Sequence, residues 1–259
     1  MSRPLEEADT PIDQLFEQSV VNGSAKFWAA HFSAARFRPG VKAALCFAHA
    51  MDLLTTVGAE VIAEKSVWWH EELNGTLPAR HPITKALMGS VSATATPDCG
   101  QAIAQTMHEH LHGALMTQQR TAMSSTEIWH QYAELRFGTF HALLSLVSGA
   151  SVSEANQVAD WTALFYALLV SNHPQFFDDS RVLTPSNALA RTNDSNHALK
   201  QCLSAMPPMP AANRILIEHD RRWWQTGLTE APPSHSGAPL GLRSMLASWR
   251  FARQASRSV

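Results

Sequence analysis

The chain has 259 residues, 45% of them apolar and 16% charged, with 20 basic and 22 acidic side chains and a formal charge of −2. That length supports one sizeable core, and the balanced charge speaks against nucleic acid as a partner because no basic field exists for a phosphate backbone. Cys46, Cys99 and Cys202 are far apart and form no C-x-x-C pair, which fits a reducing compartment and supplies no zinc framework.

Residues 1–23 read as a polar segment without an apolar signal stretch, followed by one domain over 24–255. From there helical spacing dominates, and alternating strand patterns bounded by tight turns are missing, so the expected fold class is all-α. The pattern predicts helices at about 24–37, 40–57, 59–74, 81–94, 98–115, 125–149, 153–171, 186–205, 211–226 and 240–255. Pro39-Gly40 is expected to separate the first two, and Gly75 to end the helix that carries WWHEEL. Ser124 and Glu127 form a candidate capping box. The longest apolar run, Trp161 to Val170 around one Thr, is far short of the roughly 20 residues needed to span a bilayer, and Pro174 is expected to stop its helix. Residues 178–196 and 231–239 read as polar loops. The expected location is the cytoplasm.

Met107 to His112, MHEHLH, contains H-E-x-x-H. On a helix His108 and His112 share a face and Glu109 lies beside them, which suits two zinc ligands and a general base, with Glu134 as a conceivable third ligand. With 13 histidines in the chain such a pattern arises readily by chance, and no context for a protease accompanies it. A solvated polar face is the simpler reading.

Other residues stand out singly. Asp52 sits inside AALCFAHAMDLLTTV, where an acid is costly to bury unless paired or ligated; its partner is expected to be an Arg or a His, with His49, three residues earlier, the obvious one. Of the adjacent Trp68 and Trp69, one is expected to face the core and the other a neighbouring helix. Glu71 and Glu72 are read as capping or pairing on the surface, and His81 before Pro82 as satisfying a helix N-terminus. The last helix places Leu242, Met245, Leu246 and Trp249 on one side and Arg243, Arg250, Arg253 and Arg257 on or near the other. That pattern serves either docking on the domain or peripheral contact with an anionic membrane.

The stretch Lys65 to Leu87, KSVWWHEELNGTLPARHPITKAL, resembles the squalene/phytoene synthase family, whose members carry W-x-x-E-L, a short glycine loop and H-P-x-x-x-A-L here. Upstream, KFWAAHFSAARFRPGVKAALCFAHAMD is similar to the family's first helices. Downstream, YAELRFGTFHALLSLVSG is similar to its Y-C-x-x-V-A-G-x-V-G helix, Ser180 to Pro185 to G-R-V-Y-L-P, and LRSMLASWRFARQA to its closing helix. The resemblance covers about residues 24 to 255 and implies an isoprenoid-synthase bundle around a central apolar cavity. The family condenses prenyl diphosphates on the way to terpenoids, using magnesium ions that are held between two aspartate-rich helices and neutralise the leaving diphosphate.

Laid on the first of those motifs, His49 stands at the family Arg, Asp52 at the first Asp and Thr56 at the second. The second motif falls on Ser171 to Phe177, with Asn172 or His173 where an aspartate belongs. A shift of register would bring in Asp178 and Asp179, but Pro174 interrupts the helix. Phe140 replaces the family tyrosine. Without its carboxylates the leaving group loses its electrostatic stabilisers, each worth orders of magnitude in rate. The leading expectation is therefore a non-catalytic pseudoenzyme that binds an isoprenoid or other lipid, or acts as an assembly factor on a protein partner. The alternatives are a divergent prenyltransferase using Asp52 with Asp178 or Asp179 and magnesium, and a zinc hydrolase using His108, Glu109 and His112.

Overall fold

The computed structural model describes residues 11–74, 79–91, 97–118, 126–172, 193–226 and 242–255, and every regular element among them is helical. The all-α expectation holds for them. Of the segment read as polar, residues 11–23 are described, and most of them form a helix. Helix α1 (Pro11–Ser19) buries Ile12 and Phe16, with Val20 just beyond it, one helical turn apart on one face. It packs on α3 (Arg38–Leu54), where Lys42 Nζ lies 2.6 Å from Asp13 Oδ1 and 5.2 Å over the Phe16 ring. Ile12, Phe16 and Val20, with partly buried Leu15 beside them, dock this otherwise mostly polar helix.

Helix α2 (Ala25–His31) starts at Ser24, whose Oγ accepts from the Phe27 N–H at 3.2 Å. It ends earlier than predicted, and a 3-10 turn (Ala35–Phe37) leads into α3. Pro39-Gly40 is no break: Pro39 occupies the first turn of α3, where a missing N–H costs nothing. Gly40 is buried there, and an added Cβ would stand 2.9 Å from Ser90 Cβ. Helix α4 (Ala59–Leu73) carries WWHEEL and is capped by Asn74; Gly75 lies outside the described residues, as does Ser124 of the expected capping box.

Helices α5 (Pro82–Val91) and α6 (Pro97–Gln118) come next. The long helix expected at 125–149 is two helices, α7 (Thr126–Ala133) and α8 (Thr139–Val147), joined by a π-turn (Glu134–Gly138). Gly149, at φ +90°, reverses the chain after α8. Ser151 and Glu154 then cap α9 (Val152–Asn172) reciprocally, Ser151 N–H donating to Glu154 Oε2 at 2.8 Å and Glu154 N–H to Ser151 Oγ at 3.3 Å. Pro174 lies outside the described residues. The remaining helices are α10 (Asn193–Ser204), α11 (Ala211–Thr226) and α12 (Leu242–Ala255).

Two apolar clusters hold the bundle together. One gathers Phe47, Met51, Leu87, Leu111 and Leu143 from α3, α5, α6 and α8. The other gathers Trp129, Phe137, Phe165 and Tyr166 from α7, the π-turn and α9. Buried polar groups fasten helices across them: Trp161 Nε1 donates to Cys202 O at 2.8 Å, and Asn213 Nδ2 to His141 O at 2.8 Å and Ser145 Oγ at 2.9 Å. All three cysteines are free and buried, and burial pushes the Cys46 and Cys202 thiols up to about 11. Among the described residues no helix is long and apolar enough to cross a membrane.

Candidate functional site

Asp52 occupies the last turn of α3, between core-facing Met51 and Leu54, with its side chain 45% exposed. It forms an ion pair with Arg136, and its charge also acts on His49. Arg136 reaches from the π-turn, is 12% exposed, and donates through Nη2 to Asp52 Oδ1 in a very short contact. Lys26 Nζ lies 4.0 Å from the other carboxylate oxygen. Burial works against the guanidinium charge, but Asp52, with help from Tyr132, outweighs it and raises the Arg136 pKa.

Behind Arg136 lies His110, 3% exposed. Its Nδ1 is 2.9 Å from Thr139 Oγ1 and its Nε2 is 3.3 Å from Arg136 Nη1. Proton accounting fixes the tautomer. The Thr139 hydroxyl donates its only hydrogen to Leu135 O at 2.6 Å, so its oxygen accepts from His110 Nδ1–H, and Nε2 is left bare to accept from Arg136. The ring is neutral, since burial and then the Arg136 charge push its pKa down to about 3. His49 is also lowered, chiefly by burial, with Lys26 adding and Asp52 opposing.

The site therefore holds two cations, one carboxylate and a neutral imidazole. A hard divalent ion needs several carboxylate oxygens; among the described residues Asp52 is the carboxylate placed here, and it already faces two cations. Thr56 is exposed and donates to Leu53 O at 2.8 Å. Phe140 packs with its ring centroid 6.3 Å from His110 and 5.1 Å from His141. His173, Asp178 and Asp179 lie outside the described residues, and so does the side chain of Asn172.

MHEHLH is arranged around its middle histidine. Met107, His110 and Leu111 face the core, while His108 stacks on His70 of α4 at 5.5 Å, its pKa lowered chiefly by burial. Glu109 accepts from Gln105 Nε2 at 2.8 Å, and His112 and Glu134 are exposed. Among the described residues no three His, Cys, Asp or Glu side chains converge to hold a metal ion.

WWHEEL and HPITKAL build one junction. Glu72 is buried, and its Oε1 accepts from the backbone N–H of Arg80 at 2.7 Å and of His81 at 2.8 Å. His81 Nδ1 accepts from Ile83 N–H at 3.2 Å and so caps α5. Trp69 is buried edge-on to Phe47 at 5.3 Å, and half-buried Trp68 meets His81 at 5.6 Å. Glu71 is exposed.

Sequence reasoning missed Lys26, His110 and Arg136. The signal was a lone arginine in YAELRFGTFHALL matching a lone acid in AALCFAHAMDLL, two isolated charges that apolar helices tolerate only as a pair. No family model, curated protein or solved structure matches the chain.

Proposed function

We propose that the chain is a squalene/phytoene synthase-like helical protein without diphosphate-magnesium chemistry. It acts as a non-catalytic isoprenoid- or lipid-binding, assembly-factor-like pseudoenzyme. The observation that carries this reading is the internal neutralisation of Asp52. The one acid that the resemblance places at a magnesium position is tied to Arg136 and faced by Lys26, so a metal ion would have to displace the protein's own cations. The all-helical architecture is compatible with the isoprenoid-synthase scaffold, and WWHEEL and HPITKAL serve in it as a structural junction. Calorimetric titration of farnesyl diphosphate, with and without magnesium, tests the reading. Equal heats in both conditions, with no condensation product, are expected; binding that tightens markedly with magnesium would overturn it.

A divergent prenyltransferase is the second reading, supported by the surplus positive charge of Lys26 and Arg136 beside a half-exposed carboxylate, which suits diphosphate oxygens. It predicts that Asp52→Asn abolishes turnover. Nothing in the arrangement of His108, Glu109 and His112 favours a hydrolase.

A further inference from the structure

The last helix has two opposed faces, and its own domain uses one of them. Ala247, Ser248, Phe251, Ala252 and Ala255 of α12 are buried against α11, where Ser248 Oγ lies 2.7 Å from His219 Nε2 and Phe251 stands edge-on to the same ring. Positions 246, 249, 250 and 253 fall together on the opposite side at helical spacing. Leu246 and Trp249 remain 46% and 43% exposed, flanked by exposed Arg250 and Arg253. The Arg253 guanidinium sits 4.9 Å over the Trp249 ring and holds the indole in this face. Exposed Arg222 of α11 stacks 4.6 Å over Phe251 on the domain-facing side of the helix.

The charge is one-sided. Helix α12, LRSMLASWRFARQA, contains no acid. On α11, Glu218 is clasped by Arg214 at 2.8 Å and Arg221 at 2.6 Å, while buried Asp220 accepts from the Tyr166 hydroxyl at 2.7 Å. Neither carboxylate is left to neutralise the arginines of the outer face.

We propose that this face docks α12 flat on an anionic phospholipid surface, with Arg250 and Arg253 on the lipid phosphates and Trp249 and Leu246 entering the headgroup boundary. Charge complementarity selects the anionic surface. The aromatic and aliphatic pair at the centre of the face suits a lipid boundary, where an amphipathic indole and a short apolar side chain find apolar surroundings. A nucleic-acid backbone would satisfy the arginines and give Leu246 nothing. The attachment is peripheral, made by one face of a helix already docked on its domain, and it does not depend on the Asp52 site.

Co-sedimentation of the full chain with vesicles tests this. The protein is expected to pellet with phosphatidylcholine/phosphatidylglycerol vesicles, less so as salt is added, and to stay in solution with phosphatidylcholine alone. Each arginine contributes roughly fivefold to partitioning at an anionic surface, so Arg250→Gln with Arg253→Gln is expected to weaken it about 25-fold. Trp249→Ala is expected to weaken it while preserving the salt dependence. All three side chains are exposed, and circular dichroism checks that each variant folds. Asp52→Asn is expected to leave sedimentation unchanged, which separates this surface from the function proposed above. Three outcomes would overturn the proposal: no pelleting with anionic vesicles, equal pelleting by the double-arginine variant, or a face that instead supports a dimer or binds nucleic acid and is lost in Trp249→Ala.

Discussion

Replacing Asp52 by Asn keeps the shape of the side chain and removes the charge that Arg136 faces. Breaking one side of a fully buried ion pair costs about 3–5 kcal/mol, because the surviving charge is left in a poor solvent. A fully exposed pair is worth about 0–1 kcal/mol. This pair lies between those limits, with the cation 12% and the anion 45% exposed. The neutral His110, 3.3 Å away, and Tyr132 also face the guanidinium and offer it hydrogen bonds. The expected loss is therefore about 2 kcal/mol, with the exposure of the carboxylate discounting the buried limit. With a urea m-value of about 2 kcal/mol/M, the unfolding midpoint should fall by about 1 M at unchanged slope. Adding Arg136→Met to Asp52→Asn should restore part of that loss, since the stranded cation goes with its partner. An unchanged midpoint in Asp52→Asn would refute the reasoning by showing that water already satisfies the guanidinium. The same titration examines the functional reading: magnesium should leave the wild-type midpoint where it is. A magnesium-dependent rise that disappears in Asp52→Asn would make Asp52 a metal ligand.

Glu72→Ala removes the acceptor of two backbone N–H groups at the start of α5 and should destabilise the protein by about 2 kcal/mol in a urea melt, with Glu72→Gln milder because one acceptor oxygen remains. Burial raises the Glu72 pKa, but the His81 and Arg80 amides outweigh it and hold it below 4.5, so its contribution is present above that pH and lost as pH falls through the folded value. His110 and His219 add an earlier acid sensitivity: both are lowered chiefly by burial, to about 3 and about 4, from an ordinary 6.5. The unfolded chain therefore takes up protons first as pH drops below 6.5, and by about pH 4.5 each histidine costs about 2.5 kcal/mol; thermal melts across this range should show the decline, and His219→Gln should flatten it. Gly113→Ala would place a Cβ 2.7 Å from the Leu135 carbonyl oxygen, a backbone atom that cannot swing aside, and should cost about 1–3 kcal/mol in the same melts.

Periodicity made most helices legible, because apolar residues on one face are what a helix must bury. The errors fall where other terms decide. Pro39-Gly40 looks like a break, yet proline is at home in a first turn and Gly40 is there for the close approach of Ser90 and Val147, which no single sequence displays. Ile12, Phe16 and Val20 had the spacing of a helix, but the polar residues between them hid it. The π-turn leaves no local mark, since the extra residue in ELRFG shows only in the contacts it makes. At the site, the cost of burying Asp52 did imply a partner in Arg or His, but only the neighbouring His49 could be named from the sequence, not Arg136. A lone charge finds its partner across the fold, 84 residues away here, and local spacing holds no information about that distance.

The π-turn also explains why the pair forms. A regular helix advances about 100° per residue, so one extra residue in the turn swings α8 about its axis relative to α7. On its near side Tyr132 and Ala133 belong to the cluster around Trp129 and Phe165; on its far side Ala142, Leu143 and Leu144 belong to the cluster around Phe47. Helix α6 meets the turn at Gly113 and α9 meets it at Gly138, where a Cβ would come within 3.1 Å of Ala159 O. Arg136 sits at this seam, and through Asp52 it fastens the turn to α3 and through His110 to α6. A polar network buried between two apolar clusters fixes their relative placement in a way that apolar contacts, tolerant of sliding, do not. Asp52, held by Arg136 at this seam, thereby fixes the position of α3.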